Sequence, residues 1–526
     1  MISEQVNRRK FSGRVFLLLA VAVLWAGAAP SQVIVWTAQY ENDRTGANVQ
    51  ETILNTSNVN SQQFGLLFTR PVDGLIYAQP LYVPGVQLGT STYNVVYVAT
   101  LNNSVYAFDA DNAANAAPLW HVNLGPALQI PAGGAFLGTE IGIVGTPVID
   151  VTWNALYVVA LTVQKGDMQY NLHALNLTNG QEQFNGPVVI QGHVPGTAFD
   201  ARNGILAFTP NNVLQRPALT LYGGNVFVAF GALAEKYLYH GWLFSYNAHT
   251  LQQAGIYCST PNGSKGGIWM SGHGMAADVS GLYLMVGNGT TNKGDLSSSF
   301  VRLNGTTPQY FTPANYASLN KYDWDLNAGG PLLLPNTTLL LGGGKTGAFF
   351  LLDRNNLGGL VAGDTQVVQT WQATTGCGTT AGEDCDELHD YIYWYAAPGQ
   401  PLLYVWPMNE HLKAYAFNGS TFNTTPVVKN NPVAGFPGGQ LTVSSNGGKD
   451  GTGIVWAAMS TQDAYGGPVP GMLRAFDAIT LAELWNSDMN AADNAGLLSK
   501  FTPPIVANGK VYLATFSKQL NVYGLR

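Results

Sequence analysis

A pattern of strands and turns recurs along most of this 526-residue chain, and it restricts the possible folds more than any other feature. Each copy opens with a small residue or a turn before a proline, continues through alternating apolar strands, and ends at a corner such as Phe-Asp-Ala. The clearest copies occupy 79–112, 146–180, 216–250 and 503–526. Alternation with a period of two predicts strands with one buried face, and Asn-Gly, Gly-Gly and Asp-Ala corners supply turns. The sequence therefore predicts repeated antiparallel sheets.

The spacing of the prolines that open each copy predicts the number of repeats. These prolines stand at positions 80, 147, 217, 331, 398 and 503. The two longest intervals each hold one further unit, beginning near His273 and near Phe436, so the chain contains eight units. Their average length of about 60 residues suits four-stranded blades with long loops. We expect an all-β, eight-bladed β-propeller over 61–526, with a seven-bladed ring carrying one long insertion as the alternative.

The last repeat is one strand short, and a spare strand precedes the first repeat. Residues 503–526 hold three strands, and the spare strand at 64–74 reads FGLLFTRPVDG. We expect this strand to complete the last blade, because closing the ring leaves no open sheet edge. Residues 30–60 then form an N-terminal extension that precedes the propeller.

The first 29 residues have the three parts of a secretory signal peptide. Basic residues at 8–10 precede an apolar run at 15–25, and small residues follow at 26–28. The run is too short to span a bilayer comfortably. The arginine pair at 8 and 9 also resembles the twin-arginine export pattern, and both export routes stay open. We expect a periplasmic or secreted protein without a transmembrane segment in the mature chain.

Composition excludes several functional classes. Only 10% of the residues are charged and the net charge is −7, so a phosphate-binding surface for nucleic acid is not expected. The 61 glycines and 27 prolines argue against a coiled coil, and the many aromatic residues argue against a disordered chain. Of the three cysteines, Cys377 and Cys385 are predicted to form a disulfide in an exported protein, and Cys258 is predicted to be a buried free thiol.

Four segments of the chain resemble the quinoprotein alcohol dehydrogenases, which are eight-bladed propellers that use pyrroloquinoline quinone (PQQ). They contain the sequences GGIWMSGHGMAADVSGLYLMVGNG, KGDLSSSFVRL, YDWDL and GKTGAFFLLDRNNLG, and they occur in the family's order at 266–289, 293–303, 322–326 and 344–358. A looser similarity spans about residues 60–526. The resemblance implies a propeller that holds PQQ and Ca²⁺ in its axial channel.

The resemblance also implies roles for individual residues. Trp269 corresponds to the tryptophan that stacks on the cofactor, and Lys345 to the residue that contacts the quinone oxygens. Asn288 and Glu235 correspond to ligands of the calcium ion, and Asp295 to the catalytic base. These residue types suit the chemistry, because calcium takes oxygen ligands and a carboxylate can accept the proton of an alcohol while hydride moves to the quinone.

The chain departs from the family pattern at several positions. It has no pair of adjacent cysteines, and Glu235 lies one residue out of step with His240 in place of an arginine. A family acid before the first blade is replaced in the segment 77–80, and a later Asn-Trp pair is replaced in the segment 388–391. A calcium site that lacks one carboxylate would bind the ion more weakly.

The sequence therefore leaves two functions open. The first is an exported PQQ- and Ca²⁺-dependent dehydrogenase of alcohols or sugars, which would take a small-molecule substrate and pass electrons to a separate acceptor. The second is a non-catalytic propeller that serves as a scaffold or binding protein of the cell envelope. A third hypothesis is a carbohydrate-active or carbohydrate-binding propeller that uses the aromatic residues of its channel loops. Whether the chain is an enzyme is not decided at this level.

Overall fold

The computed structural model describes residues 32–131, 138–234, 238–292, 294–305, 307–377 and 385–526. The signal peptide predicted at 1–29 and the calcium ligand predicted at Glu235 lie outside the described residues. Within the described part of the chain, no helix is long and apolar enough to cross a membrane.

Eight four-stranded antiparallel sheets follow one another along the chain, which confirms the eight-bladed propeller and excludes seven blades. In blades 1 to 4 the strands are Leu81–Leu88, Ser91–Ala99, Ser104–Asp109 and Trp120–Asn123; Val148–Asp150, Ala155–Gln164, Asp167–Asn176 and Val188–Val189; Thr220–Tyr222, Asn225–Ala232, Trp242–Asn247 and Gln253–Cys258; and Ala276–Asp278, Gly281–Val286, Ser299–Leu303 and Gln309–Phe311.

The second half of the ring has the same construction. In blades 5 to 8 the strands are Leu332–Leu333, Leu339–Gly343, Ala348–Asp353 and Gln369–Gln372; Tyr391–Trp394, Leu402–Val405, His411–Ala416 and Val428–Val433; Gln440–Ser444, Ile454–Met459, Met472–Asp477 and Glu483–Asn486; and Ile505–Ala507, Lys510–Ala514, Gln519–Leu525 and Phe64–Pro71. Pro398 follows the first strand of blade 6, so the prediction that this proline opens a unit was wrong by one strand.

Short elements join the blades. The additional strands are Ala47–Asn48, Leu128–Gln129, Glu140–Ile141, His193–Pro195, Ile205–Ala207 and Val213–Leu214. One α-helix spans Tyr316–Tyr322, and 3-10 turns span Pro210–Asn212, Met270–Gly272, Leu326–Ala328, Ala362–Asp364 and Ala491–Asp493. Cys377 and Cys385 form a disulfide, and Cys258 is free and buried, as the sequence predicts.

The predicted closing strand completes the last blade. Phe64–Pro71 pairs antiparallel with Gln519–Leu525, from Phe64 opposite Leu525 to Pro71 opposite Gln519. The two ends of the propeller sequence are therefore joined by backbone hydrogen bonds, and the ring has no open sheet edge at its closure.

The repeat has a physical basis in bonds between neighbouring blades. The hydroxyl of Tyr157, in the second strand of blade 2, donates to the carbonyl oxygen of Ala248 at the corner of blade 3, at 2.8 Å. Tyr404 of blade 6 donates in the same way to Ala478 of blade 7. The tyrosine and the corner alanine recur in the sequence because together they pair a buried hydroxyl with a buried carbonyl.

Residues 35–48, which we term the axial segment, touch the first strand of every blade or the residue beside it. Backbone or side-chain hydrogen bonds join Val35 to Tyr82, Trp36 to Ile149, Thr37 to Leu219, Asn42 to Ala277, Asp43 to Leu333, Thr45 to Tyr393, Gly46 to Val443 and Asn48 to Val506. These partners belong to blades 1 to 8 in order. Only a segment in the centre of the ring can reach all eight, so residues 35–48 of the N-terminal extension lie in the axial channel.

Candidate functional site

Gln39 of the axial segment lies at the centre of the ring, where the first strands begin. Its backbone N–H donates to Gln79 Oε1 of blade 1 at 3.0 Å, and its Nε2 donates to Asp390 Oδ1 of blade 6 at 3.1 Å. His273 Nε2, from blade 4, lies 2.9 Å from the same Asp390 oxygen. All four side chains are buried. Because Gln39 is bonded to blades on different sides of the ring, it occupies the axis itself.

Arg44 of the axial segment fills the channel beside Gln39, and all three of its guanidinium nitrogens are bonded. Nε and Nη2 donate to Met275 O at 3.0 and 2.9 Å, and Nη2 also donates to Thr220 Oγ1 at 2.7 Å. Nη1 donates to Thr37 Oγ1 and Ala38 O at 2.8 and 2.7 Å. Burial lowers the pKa of this guanidinium to about 9. A buried cation with a full set of acceptors is structural, so the chain's own bonds close this part of the channel.

The loops that precede the first strands bring aromatic and basic residues together in a cluster that we term the axial mouth. The rings of Trp269 and His389 each lie 5.1 Å from the ring of Phe501, in edge-to-face geometry. The Arg216 guanidinium lies 5.8 Å from the same phenyl ring. Lys500 directly precedes Phe501 in the sequence. The five members come from blades 3, 4, 6 and 8, so the mouth lies over the axis.

Arg216 differs from Arg44 in the bonds that it makes. It is only 2% exposed, but its Nη2 reaches only Phe501 O at 3.2 Å and Ser271 O at 3.4 Å. Its Nη1 is buried without a hydrogen-bond partner. Among the described residues, no carboxylate forms an ion pair with this guanidinium. Burial lowers its pKa to about 10, and the side chain remains charged at neutral pH.

Lys500 adds a second buried positive charge to the axial mouth. Its Nζ donates to Ala464 O at 2.8 Å and lies 6.0 Å from the ring of Phe436. Burial lowers the pKa of this ammonium to about 8, with Asp463 opposing the shift and Arg216 adding to it. Arg216 therefore disfavours the charged form of Lys500, and Asp463 favours that form more strongly.

Two of the residues predicted as site residues, Asn288 and Lys345, are brought together through the YDWDL corner. Lys345 Nζ lies 2.8 Å from Asp325 Oδ2 and 3.3 Å from Asp323 Oδ2, and it donates to Asp323 O at 3.0 Å. The backbone N–H of Asn288 donates to Asp325 Oδ1 at 3.1 Å. Asp325 is not among the residues predicted from the sequence, although its position directly after a tryptophan in the YDWDL corner was the available signal.

The ammonium of Lys345 sits where a cation bound by these carboxylates would sit. Burial opposes its charge, but Asp325, Glu387 and Asp323 outweigh burial and raise the pKa of Lys345 above its ordinary value. Within the described residues, no three His, Cys, Asp or Glu side chains are grouped so that they could hold a metal ion. The ligand predicted at Glu235 lies outside the described residues, so the calcium site predicted at Asn288 and Glu235 stays a prediction.

Asp295, the predicted base, lies in different surroundings. Its Oδ1 accepts from the backbone N–H of Asn262 at 2.9 Å, and its Oδ2 is buried without a hydrogen-bond partner. Burial raises the pKa of this carboxyl, while the Asn262 bond and nearby His240 oppose the shift. Such a carboxyl could accept a proton, but its contacts are with the blade 3 loop rather than with Lys345.

His389 and Glu387 connect the Lys345 cluster to the axial mouth. His389 Nδ1 lies 3.0 Å from Ser271 Oγ, and its Nε2 lies 2.6 Å from Glu387 Oε2. Glu387 is also among the carboxylates that raise the pKa of Lys345. The acidic cluster and the basic mouth are therefore neighbouring parts of one surface around the axis.

Comparison with known proteins shows which fold surrounds this site. No protein-family model and no curated protein sequence matches the chain. A quinohemoprotein alcohol dehydrogenase from Comamonas testosteroni superposes with a TM-score of 0.57 at 13% identity, covering 95% of this chain and 81% of that one. The enzyme ADHIIG from Pseudomonas putida HK5 gives 0.54 at 14%, covering 94% and 80%. A europium-containing methanol dehydrogenase gives 0.54 at 13%, covering 95% and 99%. The chain thus has the eight-bladed fold of the quinoprotein dehydrogenases, and the likeness at these identities is one of fold.

The residues on the axis can be tested against the cofactor that this fold implies. PQQ is a planar tricarboxylate that needs a flat site and positive charge. Trp269, Arg216 and Lys500 would suit such a molecule. The centre of the ring, however, holds Gln39 bonded to Gln79 and Asp390, and Phe501 packs against Trp269. The described residues would therefore offer positive charge to such a cofactor, but the chain itself occupies the axis.

Proposed function

Because the chain combines the quinoprotein propeller fold with an axis filled by its own residues, we propose that it is a binding propeller without dehydrogenase activity. The position of Gln39 carries this proposal. Gln39 is held by Gln79, His273 and Asp390, and each of these three polar side chains finds a partner in the cluster. A ligand on the axis would have to break these buried bonds, and buried groups left unpaired are costly.

The state of Lys345 supports the same proposal. Asp323 and Asp325 have an internal counter-ion, so they have no electrostatic need for Ca²⁺. A divalent ion would have to displace an ammonium whose pKa the same carboxylates raise. The proposed binding protein therefore folds without calcium or PQQ.

We propose that the protein acts in the periplasm or outside the cell. The basic residues at 8–10, the apolar run at 15–25 and the small residues at 26–28 support export, and the disulfide Cys377–Cys385 suits an oxidising compartment. Fractionation of cells that express the full chain tests this location, and recovery of the protein in the cytoplasm with its first 29 residues intact would contradict it.

A PQQ- and Ca²⁺-dependent dehydrogenase of alcohols or sugars is the second candidate, and one observation favours it. Asp325 Oδ2 lies 2.8 Å from Lys345 Nζ, and Asp325 Oδ1 accepts from the backbone N–H of Asn288. A carboxylate, an ammonium and a backbone N–H therefore meet beside the mouth. In this candidate Asp325 or the predicted base Asp295 would accept the substrate proton. Lys345 and Trp269 would contact the quinone, and Asn288 and Glu235 would bind calcium.

Reconstitution distinguishes the two candidates. The purified chain is titrated with PQQ in the presence of Ca²⁺, and absorbance and dye reduction are followed with short alcohols and aldoses. We expect no bound quinone spectrum and no turnover above a heat-denatured control. Gln39→Gly, which empties the axis, is the matched variant, and a gain of quinone binding in this variant alone would support Gln39 as the occupant.

A bound quinone spectrum with turnover in the unmodified chain would overturn the proposal in favour of the dehydrogenase. In that event Asp325→Asn and Asp295→Asn identify the base, because only the variant that removes it abolishes turnover while quinone binding persists.

A further inference from the structure

Three aromatic side chains meet at the seam between blades 2 and 3, at the end of the blades away from the axial mouth, and we term them the seam platform. Trp153 follows the first strand of blade 2, Phe184 follows its third strand, and His249 follows the third strand of blade 3. The ring centroids of Trp153 and His249 lie 4.0 Å apart, and that of Phe184 lies 6.4 and 6.1 Å from them. Trp153 is nevertheless 49% exposed, so much of its indole surface is open to solvent.

The turns that carry these rings fix them in place. Asp150 Oδ1 accepts from the backbone N–H of Trp153 at 3.2 Å, and Asn247 Oδ1 accepts from that of His249 at 3.0 Å. Phe184 is held at a φ of 55°, in the left-handed region that a phenylalanine rarely adopts. Strained backbone of this kind persists where the surrounding structure imposes it, and it clusters at binding sites. The rings are therefore positioned in advance, which lowers the entropic cost of receiving a ligand.

A second seam of the ring shows that folding does not require this aromatic pair. The same hydrogen bond from a tyrosine to a corner alanine joins blades 2 and 3 and blades 6 and 7. Four residues before the tyrosine, blade 6 has Gln400 where blade 2 has Trp153. Directly after the alanine, blade 7 has Ile479 where blade 3 has His249. A seam of the same construction closes without the rings, so the packing of the blades alone does not account for them.

From this arrangement we propose that the seam platform binds a neutral sugar, with the C–H face of a pyranose ring against the indole of Trp153. This inference goes beyond the proposed function and does not depend on what fills the axis. A pyranose with equatorial hydroxyls has a flat apolar face and a polar rim, and an exposed indole offers the matching apolar plane. The exposed residues Thr152, Asn185 and Thr250 adjoin the three rings in sequence and bring hydroxyl and amide groups to their edge.

The charges around the seam platform favour a ligand without charge. The turns at 150–154, 181–186 and 247–252 contain neither lysine nor arginine, so they offer no counter-charge to a carboxylate or a phosphate. The two carboxylates of these turns, Asp150 and Glu182, are already bonded within the chain. A cation would have to compete with those bonds, whereas a neutral sugar leaves them intact.

Saturation-transfer NMR with methyl β-D-glucopyranoside tests the inference on the full mature chain, with sorbitol as an acyclic polyol control. We expect saturation to reach the C–H protons of the glucoside and not those of sorbitol. Trp153→Gln should weaken glucoside binding by about 10-fold, the effect of losing an aromatic contact. This variant should fold, because blade 6 carries a glutamine at the same position, Gln400. Gln400→Ala is the matched control and should leave binding unchanged.

Several results would overturn the inference. Equal saturation of glucoside and sorbitol, or saturation of neither, would show that the platform does not select a pyranose. Glucoside binding that persists in Trp153→Gln and is lost in Trp269→Gln would assign the sugar to the axial mouth. Tighter binding of tetramethylammonium than of the glucoside would assign the platform to a cation. Unfolding of both Trp153→Gln and His249→Ile would show that the rings are structural. None of these results involves quinone binding, so the proposed function is judged separately.

Discussion

Two parts of the axial channel, around Arg44 and at the axial mouth, hold buried positive charge in opposite ways. Around Arg44 the channel is closed by hydrogen bonds to Met275, Thr220, Thr37 and Ala38. At the mouth, Arg216 lies among aromatic rings with two long bonds and one unbonded nitrogen. The difference teaches that the same residue type at similar burial can have all of its guanidinium nitrogens bonded or leave one of them without a partner.

Removal of the axial segment is the strongest test of the part of the channel that hydrogen bonds close around Arg44. A chain that lacks residues 33–51 loses the bonds to all eight blades and the buried Arg44. At about 1 kcal/mol for each hydrogen bond, we expect the free energy of unfolding to fall by more than about 5 kcal/mol. Urea unfolding followed by circular dichroism measures it. Addition of the missing peptide should restore stability, and a truncated chain as stable as the original would show that the segment is only a filler.

Substitution of the two arginines compares the channel around Arg44 directly with the axial mouth. Arg44→Met leaves buried acceptors unpaired, and we expect a loss of about 3 kcal/mol. Arg216→Met removes an uncompensated buried charge, and we expect a change within about 1 kcal/mol or a gain in stability. Thermal and urea unfolding of both variants in the absence of ligand provides the values. Equal losses of unfolding free energy in the two variants would remove the distinction between Arg44 and Arg216.

The pH dependence of stability sharpens the description of the mouth. Burial lowers the pKa of Lys500 from 10.5 to about 8, so between these values the unfolded chain binds the proton more tightly than the folded chain. The free energy of unfolding should therefore rise with pH across this window, by about 3 kcal/mol. Since other groups titrate there too, the quantity to measure is the difference between the unmodified chain and Lys500→Met. A difference that is constant from pH 8 to 10.5 would contradict the buried cation.

The smallest effect is expected at the acidic cluster beside the mouth. Lys345→Met removes the counter-ion of Asp323 and Asp325, which are partly exposed, and should cost about 1 kcal/mol. Millimolar Ca²⁺ should then raise the melting temperature of the variant and leave that of the unmodified chain unchanged. A calcium-dependent shift in the unmodified chain would show that the ion displaces the ammonium, in favour of the dehydrogenase.

The fold was predictable because its information is local and repeated. Alternating strands and recurring corners predict blades. The shortage of one strand in the last repeat predicts a closing strand at 64–74, and Phe64–Pro71 pairs with Gln519–Leu525. Pro398 misled only because a proline also fits the turn after the first strand of blade 6.

The site was less predictable because its contacts are long-range. The axial segment has no period of its own, since its hydrogen bonds go to eight separate strands rather than to one neighbour. Asn288 and Lys345 meet through Asp325, whose partners are 37 and 20 positions away. The unbonded nitrogen of Arg216 has no signature in sequence at all. The role of Asp295 as a base stays a prediction.

The order in which the axial segment visits the blades has a consequence for biosynthesis. Ala47, Asn48 and Phe64 are made early but find their partners at Val443, Val506 and Leu525, which are made near the end. A nascent chain must therefore hold these residues without those partners until blades 7 and 8 have been made. Completion of the ring should be a post-translational event, sensitive to any chaperone or translocation machinery that shelters residues 47–71.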